Sequence, residues 1–187
     1  MTGTFPTTTG LRRGYAADEV DALFACARAE YEGSGAPGAA TLDAAAIHRV
    51  AFPVVRRNAY ETGAVDAALD RLEAAFVARE RAEFVAAHGQ QAWMAQLAEK
   101  ARTLYGRLGR PDGERFAPGA RGEASYDADD VDALCARLVG YFDRGEPLTS
   151  TEVREARFRT RRGRDGYAVG PVDAFLTRAV EVLLGVE

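Results

Sequence analysis

The side chains best suited to chemistry in this sequence are four aspartates, Asp21, Asp66, Asp132 and Asp173. Carboxylates gathered at one point could act as general acid and base or hold a cation. Each of these four, however, stands in the same local sequence. Val-Asp-Ala occurs at Val20–Ala22, Val65–Ala67, Val131–Ala133 and Val172–Ala174, and a tyrosine lies five residues before each valine: Tyr15, Tyr60, Tyr126 and Tyr167. Catalytic and metal sites draw different residue types together, whereas one residue repeated in one context signals a structural duty. The expectation is that each aspartate hydrogen-bonds the turn of its own or a partner repeat, and that the chain is not an enzyme.

A second candidate is the basic run Arg154, Arg157, Arg159, Arg161, Arg162 and Arg164. Its simplest reading is a solvated turn whose arginines pair with Glu152, Glu155 and Asp165. Attraction to anionic lipid comes next, with about 1 kcal/mol per basic residue near such a surface. A nucleic-acid groove using Arg154 to Arg164 is the alternative function, but only Phe158 is interleaved for base stacking. The net charge of −4 also points away from a general nucleic-acid binder. His48 and His88 lack metal-ligand spacing to Cys26 and Cys135, which read as small packing residues and reduced thiols. Gly33–Gly38 lacks the strand-loop-helix context and the lysine of a phosphate loop, so neither metal nor cofactor is expected.

The elements that must position these residues follow from the repeat. Phe5, Phe52, Phe116 and Phe158 precede the tyrosines by eight to ten residues, across turns rich in Gly and Arg. In the third copy Asp127 suits a helix N-cap, which makes Tyr126 the residue before the cap and Val131 the fourth helical residue. Those positions form a hydrophobic staple that fixes how the chain enters the helix. The other copies keep the staple and vary the cap: Ala16 with Glu19, Thr62 with Gly63, and Gly170 before Pro171. Beyond each valine the apolar residues keep helical spacing, for example Val131, Leu134, Leu138 and Phe142, so each helix must bury one face.

Four degenerate copies in 187 residues mark a repeat protein. The expected fold is mainly α with short β-hairpin or extended segments. Its four parts are residues 1–40, 41–110, 111–146 and 147–187. Phe5 to Tyr15 reads as a hairpin or extended loop. Short helical pieces precede Phe52 (from Leu42) and Phe158 (from Leu148), so the copies alternate short and long. The second main helix runs from Thr62 to Gly109 with an interruption at Gly89, and heptad positions resume at Met94, Leu97, Ala101, Leu104 and Leu108. Trp93 is expected to be a packing anchor. No apolar run reaches membrane-spanning length and Met1–Gly10 has no signal-peptide character, which places the chain in the cytoplasm.

The short helical piece, Phe, basic turn, Gly166-Tyr167 and Val172-Asp173-Ala174-Phe175-Leu176 together resemble the DivIVA domain of bacterial cell-division and polar-growth scaffolds. Leu148 to Leu176 matches best and Leu42 to Leu72 next; the copies starting at Phe5 and Phe116 match only from the Phe onward. The resemblance implies a non-catalytic interaction or adapter module that dimerises through interlocked loops. It also implies peripheral contact with the inner face of the cell membrane, through an apolar residue and an arginine at the turn tip. Those positions fall best on Leu11 and Arg12, beside Arg13, and less closely on Val55 and Arg56. The fourth turn, with Arg159, Arg161 and Arg162, is basic without an apolar tip. The long coiled coil of the family scaffolds is missing. The protein partner is not identified by sequence.

One repeat cannot cover its own apolar stripe. The tyrosines of the first and second copies lie 45 residues apart and those of the third and fourth 41, each pair joined by a Gly- or Pro-bearing linker. These separations favour a monomer with two internally paired pseudo-dimers over a homodimer.

Overall fold

A computed structural model of the chain describes residues 4–9, 12–33 and 42–187. It is mainly helical, with two small antiparallel sheets. The chain divides into two compact units, Met1–Ala82 and Glu83–Glu187, which place residues 83–110 with the third and fourth repeats.

The first unit contains β1 (Gly14–Ala16), α1 (Ala17–Tyr31), α2 (Ala44–His48), β2 (Val54–Val55), β3 (Ala59–Tyr60) and α3 (Thr62–His88), the end of α3 from Glu83 counting with the second unit. Its strand order is β2-β1-β3, so the first repeat's strand lies between two strands of the second. Thr7 then bridges to the outer side of Tyr60, bringing the first repeat back again. The segment from Phe5 to Tyr15 is therefore no hairpin in itself; both of its pairings are made with the second repeat. Strands of two or three residues cannot stand alone, and interleaving gives each one a neighbour that satisfies its backbone.

The second unit repeats the plan. It contains α4 (Gln90–Leu108), β4 (Ala124–Tyr126), α5 (Ala128–Arg144), α6 (Ser150–Arg154), β5 (Thr160–Arg162), β6 (Tyr167–Ala168) and α7 (Val169–Val186). Its order is β5-β4-β6, with Pro118 bridging to Tyr167. The interleaved backbones pass so closely that a Cβ on Gly14 would overlap the Tyr60 carbonyl oxygen, and one on Gly166 would overlap that of Tyr126. The residue before each tyrosine is accordingly small: Gly14, Ala59, Ser125 and Gly166.

All four staple valines, Val20, Val65, Val131 and Val172, are fully buried. Asp127 caps α5 by accepting the Asp130 N–H at 3.3 Å. Ala16 holds the cap position of α1 as expected, without a side-chain bond, whereas the second and fourth copies differ from expectation. α3 begins at Thr62 itself, and Gly170 and Pro171 lie inside the first turn of α7, whose cap position is Ala168. Proline is tolerated there because a first-turn N–H has no intrahelical acceptor to lose. The staple spacing, not the capping side chain, sets where each helix begins.

Gly89, at φ 86°, separates α3 from α4. The buried stripe of α4 is Trp93, Leu97, Ala101, Leu104 and Leu108; Met94, expected in the seam, is exposed. Trp93 anchors α4 by donating its indole N–H to the Gly185 carbonyl at 2.9 Å. Cys135 is buried, and burial pushes its thiol up to about 12, whereas Cys26 is exposed rather than packed. No helix among the described residues is long and apolar enough to cross a membrane.

Candidate functional site

Each interleaved sheet places the tyrosine of one repeat against the helix start of its neighbour. The Tyr60 hydroxyl donates to Asp21 at 3.0 and 3.1 Å, and accepts the Thr4 N–H at 3.1 Å. In the second unit the Tyr167 hydroxyl donates to Asp132 at 3.0 and 3.2 Å and accepts the Arg115 N–H at 3.2 Å. Thr4 and Arg115 each precede the repeat's phenylalanine, so the two nodes are the same construction. The crossed partners face one another as well: Asp66 lies near enough to Tyr15, and Asp173 to Tyr126, to raise each phenol. Burial raises all four phenols above their ordinary value, and the facing aspartates add to this. Tyr167 is pushed up to about 12, against the opposing influence of Arg115. A protonated phenol donating to a carboxylate is a stable arrangement and not a poised base.

The second unit adds a buried charge to its node. Arg115 is only 7% exposed and places Nη1 2.9 Å from Asp132 and 2.6 Å from the exposed Asp112. Asp132 also accepts the Gly113 N–H at 2.7 Å. Asp132 thus holds a tyrosine from the fourth repeat and a loop from the third. Nothing in the sequence around Arg115 distinguishes it from the exposed arginines; its burial is set by a partner elsewhere in the fold.

The short helical pieces are tied down in parallel ways. The Ala44 N–H donates to Glu80 at 3.0 Å, and the Ser150 N–H donates to Glu187 at 2.7 Å. α6 carries a capping box in which Thr149 and Glu152 satisfy one another's backbone N–H. In the first unit the buried Glu73 lies 3.3 Å from His48 Nδ1, which gives that histidine a packing duty.

The basic turn pairs across strands rather than along the sequence. Arg159 donates to Asp130 at 2.8 to 3.2 Å and to Asp127 at 3.2 Å; Arg161 reaches Asp127 at 2.6 Å. These acceptors belong to the start of α5, not to Glu155 or Asp165 as expected, and Glu152 pairs instead with Arg137 at 2.6 Å. The Arg159 guanidinium holds Asp130 down at about 2, and Arg137 with Thr149 holds Glu152 at about 2. Asp127 is lowered as well, its burial outweighed by Arg161, Arg159 and the Asp130 N–H. Arg162 lies exposed on β5, where Ala124 faces it across the sheet.

The first unit's sheet end has the opposite character. Past the Gly14↔Val55 register, the two segments run on through Arg13 and Arg12 and through Arg56 and Arg57. All four are exposed, and among the described residues none of them makes an ion pair. Val54, not Val55, is the exposed apolar side chain beside them, at 55%. Leu11, named with Arg12 as a tip, lies outside the described residues. The matching end of the second unit carries Glu123 and Ala124 in place of Arg12 and Arg13.

Among the described residues no group of three or more His, Cys, Asp or Glu side chains is arranged to hold a metal ion. No family model, curated protein or solved structure matches the chain.

Proposed function

We propose that this chain is a non-catalytic adapter of DivIVA type, with its first repeat paired to its second and its third to its fourth, giving two pseudo-dimeric heads in one chain. The observation that carries this reading is the crossing of tyrosines and aspartates: each repeat aspartate is engaged by the tyrosine of a neighbouring repeat. Carboxylates at the same position of four repeats, each facing a tyrosine of the neighbouring repeat, serve architecture, and architecture of this kind presents surfaces to partners. The cellular role is accessory to bacterial cell division or polar envelope growth, as the family resemblance implies.

Peripheral contact with an anionic membrane face would use the first unit. Arg12, Arg13, Arg56 and Arg57 converge there with Val54, and each arginine near such a surface contributes about 1 kcal/mol. In the second unit Arg159 and Arg161 are engaged by Asp127 and Asp130, which lowers the positive field available to lipid or to nucleic acid. A fluorescent fusion expressed at native level, combined with recovery of bound proteins from the native cytoplasm, tests the role. Enrichment at septa or poles together with division or envelope-synthesis proteins supports it. A uniform distribution with none of these partners overturns it.

A further inference from the structure

The two units close the same interleaved sheet but carry different side chains at its loop end. Aligned on the tyrosines, Arg12, Arg13, Arg56 and Arg57 of the first unit match Glu123, Ala124, Gly163 and Arg164 of the second. The second unit's sheet closes with only one of those arginines in place, so closure does not require them. Like charges on neighbouring segments repel, and among the described residues none of the four is paired with a carboxylate. The first unit therefore holds a concentrated positive charge that its own packing does not use.

The backbone that carries these arginines is held at fixed points. Asn58 adopts φ 50°, the left-handed region, where among the described residues every other occupant is glycine. Its carbonyl accepts the Ala17 N–H at 2.9 Å, and its side-chain amide donates to Asp18 at 3.1 Å. The bend through Arg56, Arg57 and Asn58 is thereby tied to the start of α1. On the neighbouring segment Gly14 is clamped, since a Cβ there would overlap the Tyr60 carbonyl oxygen and press on the Thr8 methyl. Arg13 leaves directly from that clamped residue, beside the bend, because Gly14 is in register with Val55.

We propose that this end of the first unit is a binding site for a doubly charged phosphate monoester on a lipid headgroup. Arg13 and Arg56 form its central pair, with Arg12 and Arg57 flanking them. A guanidinium meets a phosphate through two parallel N–H···O bonds. A monoester presents three terminal oxygens and close to two negative charges at neutral pH, enough for a fork from each segment. A phosphodiester has two non-bridging oxygens and one charge, and satisfies one fork. Val54 favours a lipid as the carrier over a free phosphate, because an exposed apolar side chain gains from the bilayer interface. This headgroup choice rests on the membrane contact proposed above and gives that contact a chemistry.

The test sediments the full chain with phosphatidylcholine vesicles carrying either phosphatidic acid or phosphatidylglycerol, adjusted to equal surface potential. At about pH 7.5 the phosphatidic acid vesicles should bind about fivefold more tightly, and the preference should vanish near pH 5, where a monoester keeps one charge. Arg13→Gln and Arg56→Gln should each abolish the preference, while Arg162→Gln in the second unit keeps it. Asn58→Gly retains all four charges and suits the left-handed turn, but removes the tie to Asp18. It should reduce the preference, which a diffuse basic patch would not show. All four positions are exposed, so the variants should melt with the parent chain. Equal binding to the two anionic vesicles overturns the headgroup site and leaves the membrane contact standing. Failure to bind either anionic vesicle overturns both. Glycerol phosphate bound as tightly as the vesicles overturns the lipid assignment, because the carrier would then contribute nothing.

Discussion

The two units share one plan of interleaved strands and crossed tyrosine–aspartate pairs, but distribute their charge in opposite ways. The second unit turns its charges inward or onto one another: Arg115 on Asp132, Arg159 on Asp130, Arg161 on Asp127 and Arg137 on Glu152. It also covers its helix pair with α4. The first unit leaves four arginines at its sheet end, Val54 beside them, and Tyr31 and Ala78 on its helices, all exposed to solvent. Its extra buried charge, Glu73 near His48, stands where the second unit has Val180. The comparison teaches that the lock is the repeated invention and that its periphery has diverged, one unit toward anchorage and the other toward exposure.

The sharpest way to break the comparison is to remove the same aspartate from each unit. Asp132→Ala leaves the buried Arg115 charge without its buried partner and should destabilise the chain by about 3–5 kcal/mol. Asp21→Ala removes a hydrogen bond to Tyr60 without stranding a buried charge, and should cost about 1–2 kcal/mol. Denaturant melts of the two variants check both numbers, and equal losses would erase the distinction between the nodes.

Much of this was legible in the sequence, though unevenly. The tyrosine-to-valine spacing located the start of each repeat's main helix, because a staple is a local contact between residues five apart in the chain. The capping residues were less legible: Thr62 and Gly170 look like caps, yet the backbone had already entered the helix at both. Strand interleaving was hidden because two-residue strands have no periodicity to read. The arginine partners were misassigned for a related reason. Glu155 and Asp165 are near Arg159 in sequence, whereas Asp130 is near it across the sheet. Arg115 gave no signal, since a lone arginine in a polar loop is ordinarily exposed.

A smaller effect should appear in acid, confined to the second unit's ion-pair network. Asp130 and Glu152 titrate near 2 in the folded chain, below the roughly 3.9–4.3 of unfolded carboxylates. Their stabilisation is therefore complete above that range and is lost as the pH falls through it toward 2. Amide hydrogen exchange across pH 5 to about 2 should show loss of protection in β4, β5 and the start of α5, and Arg159→Ala should remove much of that pH dependence. Protection there that does not change with pH would mean the network contributes nothing measurable.

The smallest effect concerns the exposed arginines. Arg12→Glu together with Arg56→Glu should reduce sedimentation with anionic vesicles severalfold, whereas Arg162→Glu should change it little. Raising the salt should weaken the parent's binding, since surface attraction is screened over about 10 Å at 0.1 M. Equal losses from both sets would show that the two sheet ends are not distinguished by charge.

The central claim is that the locks close within one chain, the first repeat on the second and the third on the fourth. Light scattering of the purified chain over a hundredfold dilution tests it most directly. The account predicts the mass of a single chain at every concentration, because each tyrosine already meets its aspartate internally. A dimer that survives dilution, with cross-links joining first repeats of two chains, would contradict it.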